Sequence, residues 1–301
     1  MSIMISEKWV ELLETGLRIK FEEARDEILR TSVIPELFNV QTSEDAYEEF
    51  QDIHGVRDWF EYKGAIEYVE PEKGFDVRME HTEYVQGMVV ERKLIDDGKY
   101  REMNDRAGML ATSAARTREK HAASVFNLAF SATRLGGDGV ELCGAHPYTP
   151  TNASTQSNAG STALSNTSIS ATLALMKAYK GGIGEELTVM PDTLLVPPAL
   201  ESTAWVALNS ANLPGGNHND ANWLRAQSWR VIPWKYLTDT NNWFMIDSTL
   251  MKRSLYWFDR IPMEFSTDPT SDYNLMLKFR GYMRYSYGFT DWRWVYGHAV
   301  T

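Results

Sequence analysis

Cys143, the one cysteine, stands three residues before His146. A thiol beside an imidazole is the pair in this chain best suited to nucleophilic chemistry, because the imidazole can draw off the proton and leave a reactive sulfur. A cysteine hydrolase built on the two would also need an acid to orient the imidazole and amide donors to hold an oxyanion. The surrounding LCGAHPYTP supplies neither at a recognisable spacing. Lone Cys and His residues are more often structural, and two ligands fall short of the three or four that zinc takes from protein. His54, His81, His121, His218 and His298 stand in unrelated contexts, without HExxH spacing. Gly136, Gly137 and Gly139 lack the preceding strand and following helix of a dinucleotide loop, so they read as a helix stop. Asp96 and Asp97 sit where carboxylates cap free amides, and the sequons at Asn152 and Asn166 matter only in a secreted eukaryotic chain. The residue types alone nominate no active site, metal or cofactor.

The elements are more informative. A chain of 301 residues, 43% apolar and 24% charged, suits one large domain or two interlocked ones. Its 41 acidic and 30 basic residues leave a net charge of −11, which argues against a broad phosphate-gripping surface. A single cysteine excludes an internal disulfide framework. No apolar stretch reaches the roughly 20 residues of a spanning helix. The charged run Glu7, Lys8, Glu11 and Glu14 does not read as a secretory signal, so no membrane partner is expected.

From Ser6 to Arg30, Val10, Leu13, Leu17, Phe21, Ala24 and Ile28 recur at helical steps and predict an amphipathic helix. Periodicity leaves open whether that stripe meets its own domain or a second subunit. Thr31 to Lys63 reads as an extended connector. Ala65–Glu70 and Phe75–Glu80 alternate apolar with charged residues around the turn Pro71–Gly74, predicting a hairpin charged by Glu67, Glu70, Glu72, Lys73, Asp76, Arg78 and Glu80. An isolated two-stranded ribbon is marginal in water, so this one must lie on the body or be held by another chain. A strand resumes from Tyr84 to Asp97. A long helix then runs to about Arg134 along Met103, Ala107, Ala111, Ala114, Ala122, Val125 and Ala129. Gly144–Ser168 reads as a long loop, followed by a short helix along Ile169, Leu173, Met176 and Tyr179. Strands are predicted at Glu186–Met190 and Thr193–Val196, a helix from Pro197 to Ser210, and an exposed loop at Asn212–Asn222. The remainder is β-rich: Trp229–Ile232, Trp243–Ile246, Leu255–Asp259 and Leu275–Tyr285. In the last, Leu277, Phe279 and Met283 face one way and Lys278, Arg280 and Arg284 the other.

That order of elements, with MVVERKLIDD (Met88–Asp97), HPYTPTNASTQSNAG (His146–Gly160), MPDTLLVPPALE (Met190–Glu201) and YMRYSYGFTDWRWVYGH (Tyr282–His298), resembles the major capsid (major head) protein of tailed bacteriophages, nearest to the Mu-like major head subunits. The resemblance covers nearly the whole chain. It implies an α+β fold of the Hong Kong 97 type. The parts would be an N-terminal arm (1–60), an extended β-hairpin or E-loop (61–92), a peripheral domain with a long spine helix and sheet (93–138 and 248–301), and an axial α/β domain (139–247). It also implies a structural protein, not an enzyme, without cofactor or metal. Such a protein assembles with itself through pentamers and hexamers into an icosahedral head around double-stranded DNA, packaged without sequence specificity. The expected partners are further copies, a separate scaffolding protein, a portal and decoration proteins, with the virion built in a bacterial cytoplasm. Assembly-contact candidates are Val10, Leu13, Leu17 and Phe21 on the arm, Glu70, Glu72, Lys73, Asp76 and Arg78 on the ribbon, and Asn217, His218 and Asn219 at an axis-facing tip. An isopeptide crosslink through Lys63 or Lys73 is not expected, since no paired acid and Asn accompany them. Two alternatives are an encapsulin-like compartment of the same fold and a hydrolase using Cys143 and His146.

Overall fold

The structure is a computed structural model. It describes residues 5–301 apart from 54, 56–57, 60, 63, 65, 67, 69–72, 92, 95–96, 215–219 and 268–275, with side chains in the first helix described from position 14. The helices are α1 (Ile5–Leu29), α2 (Ile34–Leu37), α3 (Tyr100–Asn127), α4 (Asn166–Lys177), α5 (Glu201–Asn209) and α6 (Ser248–Ser254). The strands are β1 (Asn39–Thr42), β2 (Tyr47–Ile53), β3 (Lys73–Glu80), β4 (Thr82–Glu91), β5 (Ala145–Pro147), β6 (Thr155–Ser157), β7 (Ala159–Gly160), β8 (Thr193–Val196), β9 (Arg230–Pro233), β10 (Trp243–Ile246), β11 (Leu255–Thr267), β12 (Met276–Phe289) and β13 (Val295–His298).

The long helix α3 buries Met103, Ala107, Leu110, Ala111, Ala115, Ala122, Ala123, Val125 and Phe126. Because so many of these are alanines, its neighbours come close: α1 lies along it, and a Cβ added at Gly108 would stand 3.9 Å from the Cβ of Ala24. Its other cover is a four-stranded sheet in the order β1-β11-β12-β4. Phe265 and Phe279 stack there at 5.5 Å, and Trp257 and Tyr285 at 4.6 Å. Leu17 and Phe21 of α1 are each 1% exposed, with Phe21 5.2 Å from the ring of Phe265. The arm's stripe from Leu17 on is therefore covered by this chain's own core. That corrects the expectation that these two residues reach another copy. Val10 and Leu13 lie on the same helix, with side chains outside the described residues.

A second apolar cluster surrounds the five-stranded sheet β7-β13-β10-β8-β9, where α4 and α5 supply Ile169, Leu173, Met176, Ala204 and Leu208. β8 and β10 are buried at every position, which is why both read as short continuous apolar runs. Ser165 and Ser168 cap α4 reciprocally.

Several expectations are corrected. The connector at 31–63 contains α2, β1 and β2. β3 pairs with β2, antiparallel from Tyr47↔Glu80 to Ile53↔Lys73, so its described partner lies upstream instead of at 65–70. The charged YEEFQDI strand was missed because its alternation is weak and its cover comes late in the chain. The long helix starts at Tyr100 and ends at Asn127, before the glycines. Gly139, with φ of +76°, instead shapes a second turn closed by the bridge Leu135↔Glu141. Within 144–168 the chain forms the hairpin β5–β6 and the short β7. Glu186–Met190 forms no strand beyond a single bridge at Glu186. Asn222, at the end of the supposed exposed loop, is buried and accepts a 2.8 Å bond from Asn166. The closing strand β13 pairs with β10 and β7, so 295–298 leaves the 248–301 unit and joins the insertion's sheet.

Two adjacent charges on α3 tie these parts together. Arg118 donates to both oxygens of Asp259 on β11, at 2.7 and 2.9 Å, and its guanidinium lies 4.9 Å over the Trp257 ring. Glu119 accepts from Ser32 Oγ (2.5 Å), the Val33 amide (3.2 Å) and Trp234 Nε1 (2.9 Å). Removing one member of a buried pair strands the other charge. Arg118→Leu is therefore expected to cost about 3–5 kcal/mol, and Arg118→Leu with Asp259→Leu distinctly less. Denaturant unfolding of both variants measures the difference.

Candidate functional site

Cys143 and His146 are both buried, yet each is engaged elsewhere. The Cys143 amide donates to the Ala129 carbonyl at 2.8 Å, and its sulfur faces the backbone of β13, where a Cβ on Gly297 would stand 2.6 Å from Sγ. Burial pushes the thiol well above its ordinary range, so no thiolate is available. His146 Nδ1 lies 2.5 Å from Asp138 Oδ2, and its ring stacks on Trp292 at 4.4 Å. Asp138 is the orienting acid that the sequence did not pair, and its other oxygen accepts from the Val140 amide at 3.1 Å. The arrangement pins the β5 strand to the Gly136–Gly139 turn. Among the described residues no three His, Cys, Asp or Glu side chains gather as a metal cluster, and no helix is long and apolar enough to cross a membrane.

The exposed chemistry lies on the ribbon β2–β3. Lys73 pairs with Asp76 at 2.6 Å, and Arg78 pairs with Glu80 at 3.0 Å while lying 3.8 Å over the Tyr47 ring. All are well exposed, so these pairs contribute little stability. Apolar contacts fix the ribbon's base. Phe50 stacks on Tyr256 at 4.8 Å, and a Cβ at Gly288 would stand 3.1 Å from Met79 Cε. Gly137 is required for close approach, since a Cβ there would meet Asp76 O at 2.8 Å. The chain passes from β3 to β4 through His81 alone, whose Nε2 lies 3.0 Å from Ser43 Oγ.

Between the two ribbon strands, Trp59, Tyr62, Ile66 and Tyr68 are 100%, 72%, 69% and 91% exposed. These residues were missed as a group. The sequence reading spread them between a connector and one face of a hairpin, although four large apolar side chains within ten positions of a charged stretch were a usable signal. Glu70, Glu72, Asn217, His218 and Asn219 lie outside the described residues.

A thiol reagent is expected to label Cys143 no faster than the native chain unfolds, which stopped-flow labelling against the unfolding rate tests. His298 stacks on Trp243 at 4.1 Å, accepts the Thr162 amide on Nδ1 at 3.2 Å and sits 2.8 Å by Nε2 from Thr172 Oγ1. Thr172 donates its own proton to the Ser168 carbonyl, so the imidazole is neutral with its proton on Nε2. Burial lowers it to about 4, whereas in unfolded chains it titrates near 6.5. The unfolded state takes up the proton first. This contribution is present above pH 6.5 and is lost as pH falls toward 4, by at most about 3 kcal/mol. Unfolding midpoints across that range are expected to fall less steeply in His298→Gln.

The model of the family described as phage capsid protein matches residues 76–297. No curated protein sequence matches the chain. Among solved structures, it is similar to the capsid of an empty GTA particle, with 13% identity, a TM-score of 0.54 and 89% of each chain covered. It is also similar to the capsid of the Cyanophage P-SCSP1u, with 10% identity, a TM-score of 0.57, and 90% of this chain and 88% of that one covered. The third is from Microbacterium phage Oxtober96, with 10% identity, a TM-score of 0.53, and coverage of 90% and 91%. These likenesses establish the α+β Hong Kong 97-type architecture and do not distinguish a Mu-like subgroup. With a family match that runs from within β3 into β13, the chain belongs to the phage capsid protein family, as a structural major capsid protein of tailed phages.

Proposed function

We propose that copies of this chain associate through the segment carried by the ribbon and close, as pentamers and hexamers, into an icosahedral head around double-stranded DNA. The observation that carries this reading is the exposure of Trp59, Tyr62, Ile66 and Tyr68 beyond a ribbon whose base is firmly anchored. Aromatic side chains are the residues that interfaces bury most profitably, and a heterologous contact of this kind repeats into closed rings. Each contact is weak alone; several per subunit give a stable assembly through effective concentration.

In this reading the arm (1–60), the ribbon and its extension (61–92), the body around α3 and the insertion (139–247, joined by β13) act as distinct parts of the subunit. Lys73, Asp76 and Arg78 remain rim contacts, while Leu17 and Phe21 stay buried within the subunit. The acidic chain lets packaged DNA move without being gripped. A separate scaffolding protein, a portal, decoration proteins and assembly in a bacterial cytoplasm complete the proposal. The phage capsid family match favours a genome container over a cargo-enclosing compartment. A sealed Cys143, whose thiol burial keeps protonated, speaks against hydrolysis through that residue and is in keeping with a structural role.

Sedimentation and electron microscopy of the chain expressed alone test the reading. The wild type is expected to form rings or shells. Replacing Trp59, Tyr62, Ile66 and Tyr68 together by Ser is expected to leave circular dichroism unchanged and raise the concentration needed for assembly at least about tenfold. Unaltered assembly would reject the contact.

A further inference from the structure

Where β3 crosses the end of β12, a cavity of about 230 Å³ opens between ribbon and body, lined by Val77, Arg78, Glu80, Arg134, Ser286 and Phe289 among others. Two of its groups are unsatisfied. Arg134 Nη1 and Ser286 Oγ are both buried and have no hydrogen-bond partner, and Ser286 as a whole is 4% exposed. The Arg134 guanidinium is held 4.2 Å over the Tyr287 ring, and among the described residues no carboxylate pairs with it. Glu80, the carboxylate in the lining, is taken by Arg78 at 3.0 Å. A buried guanidinium N–H without an acceptor costs more than an unpaired neutral donor does. It is accommodated best by an acceptor that enters the cavity from outside the chain.

We propose that this cavity is an oxyanion site. Arg134 supplies a charge-assisted donor, Ser286 its hydroxyl, and Arg78 closes the ribbon side. The ligand class is a phosphate or carboxylate group, whose several oxygens can accept from Nη1 and the Ser286 hydroxyl together. Its charge would also compensate that of Arg134; burial first, and the Arg134 charge second, hold the neighbouring His121 imidazole below its ordinary value. An anion held between Arg134 on the body and Arg78 on β3 would fix the ribbon's angle to the sheet. With a net charge of −11 the chain's overall field disfavours anions, so any binding is decided by these local donors. The site does not depend on the assembly reading.

The test uses the full-length chain and inorganic phosphate at constant ionic strength, with chloride as the control. Phosphate is expected to raise the thermal midpoint saturably and to move the His121 titration, followed by NMR, upward. Arg134→Gln is expected to shift half-saturation at least about tenfold to higher phosphate, and Ser286→Ala about threefold. Both positions carry side chains whose shortening leaves the ribbon's apolar base intact. A response in dispersed chains that persists in assembled shells identifies a free anion. One that disappears on assembly identifies a carboxylate from a second copy. A midpoint that follows ionic strength alone, or a wild-type response retained in Arg134→Gln, means that water fills the cavity and overturns the proposal.

Discussion

Two consecutive buried charges in a long helix are tolerable only when each meets a partner of its own, and the rest of this subunit is arranged around that demand. Arg118 and Glu119 point from α3 to different neighbours. Arg118 grips Asp259 on the central strand of one sheet, while Glu119 receives donors from the end of the arm and from Trp234 in the insertion. Neither interaction is a large net source of stability, since desolvation offsets most of the attraction. Their effect is to specify position. A shift of α3 by one residue would unpair both charges at once, so arm, sheet and insertion have one register relative to the helix.

Burial is divided unequally between the body and the ribbon. The body buries Trp234, Trp243, Trp257 and Trp294, and pairs Arg118 and Glu119 with partners from distant segments. Among the described residues the ribbon has little apolar cover of its own beyond Phe50, Phe75, Val77 and Met79, and its surface carries ion pairs that water largely screens. A two-stranded element of that kind is held in place at its base and left free to meet something else beyond it. Rigid body and projecting ribbon together suit a part that must be identical in every copy yet adapt to its neighbours.

How much of this was legible depends on whether the signal was local. The Ala stripe of α3 and the all-buried TLLV and WFMI strands could be read directly, because periodicity and continuous burial are properties of short windows. The ends of α3 were missed by three and seven residues, since Leu128 and the following turn break the helix where no glycine announces it. Pairings set by tertiary structure were not visible. β3 takes β2 as its partner across 19 intervening residues, and β13 joins a sheet whose other strands lie far upstream. The Asp138–His146 couple escaped for a similar reason, as an eight-residue separation inside a glycine-rich turn has no period to recognise. The exposed residues 59–68 were visible by type, but sequence alone could not tell an uncovered face from a covered one.

The sealed environment of Cys143 has a bearing on durability. Any reactive group on a subunit is multiplied by the copy number of the particle, so one accessible sulfhydryl per chain would offer many sites for mixed disulfides between neighbours. Here the chain's single thiol is packed against the backbone at Gly297. A container made of such subunits can pass from reducing to oxidising surroundings without its joints being rewritten by thiol exchange.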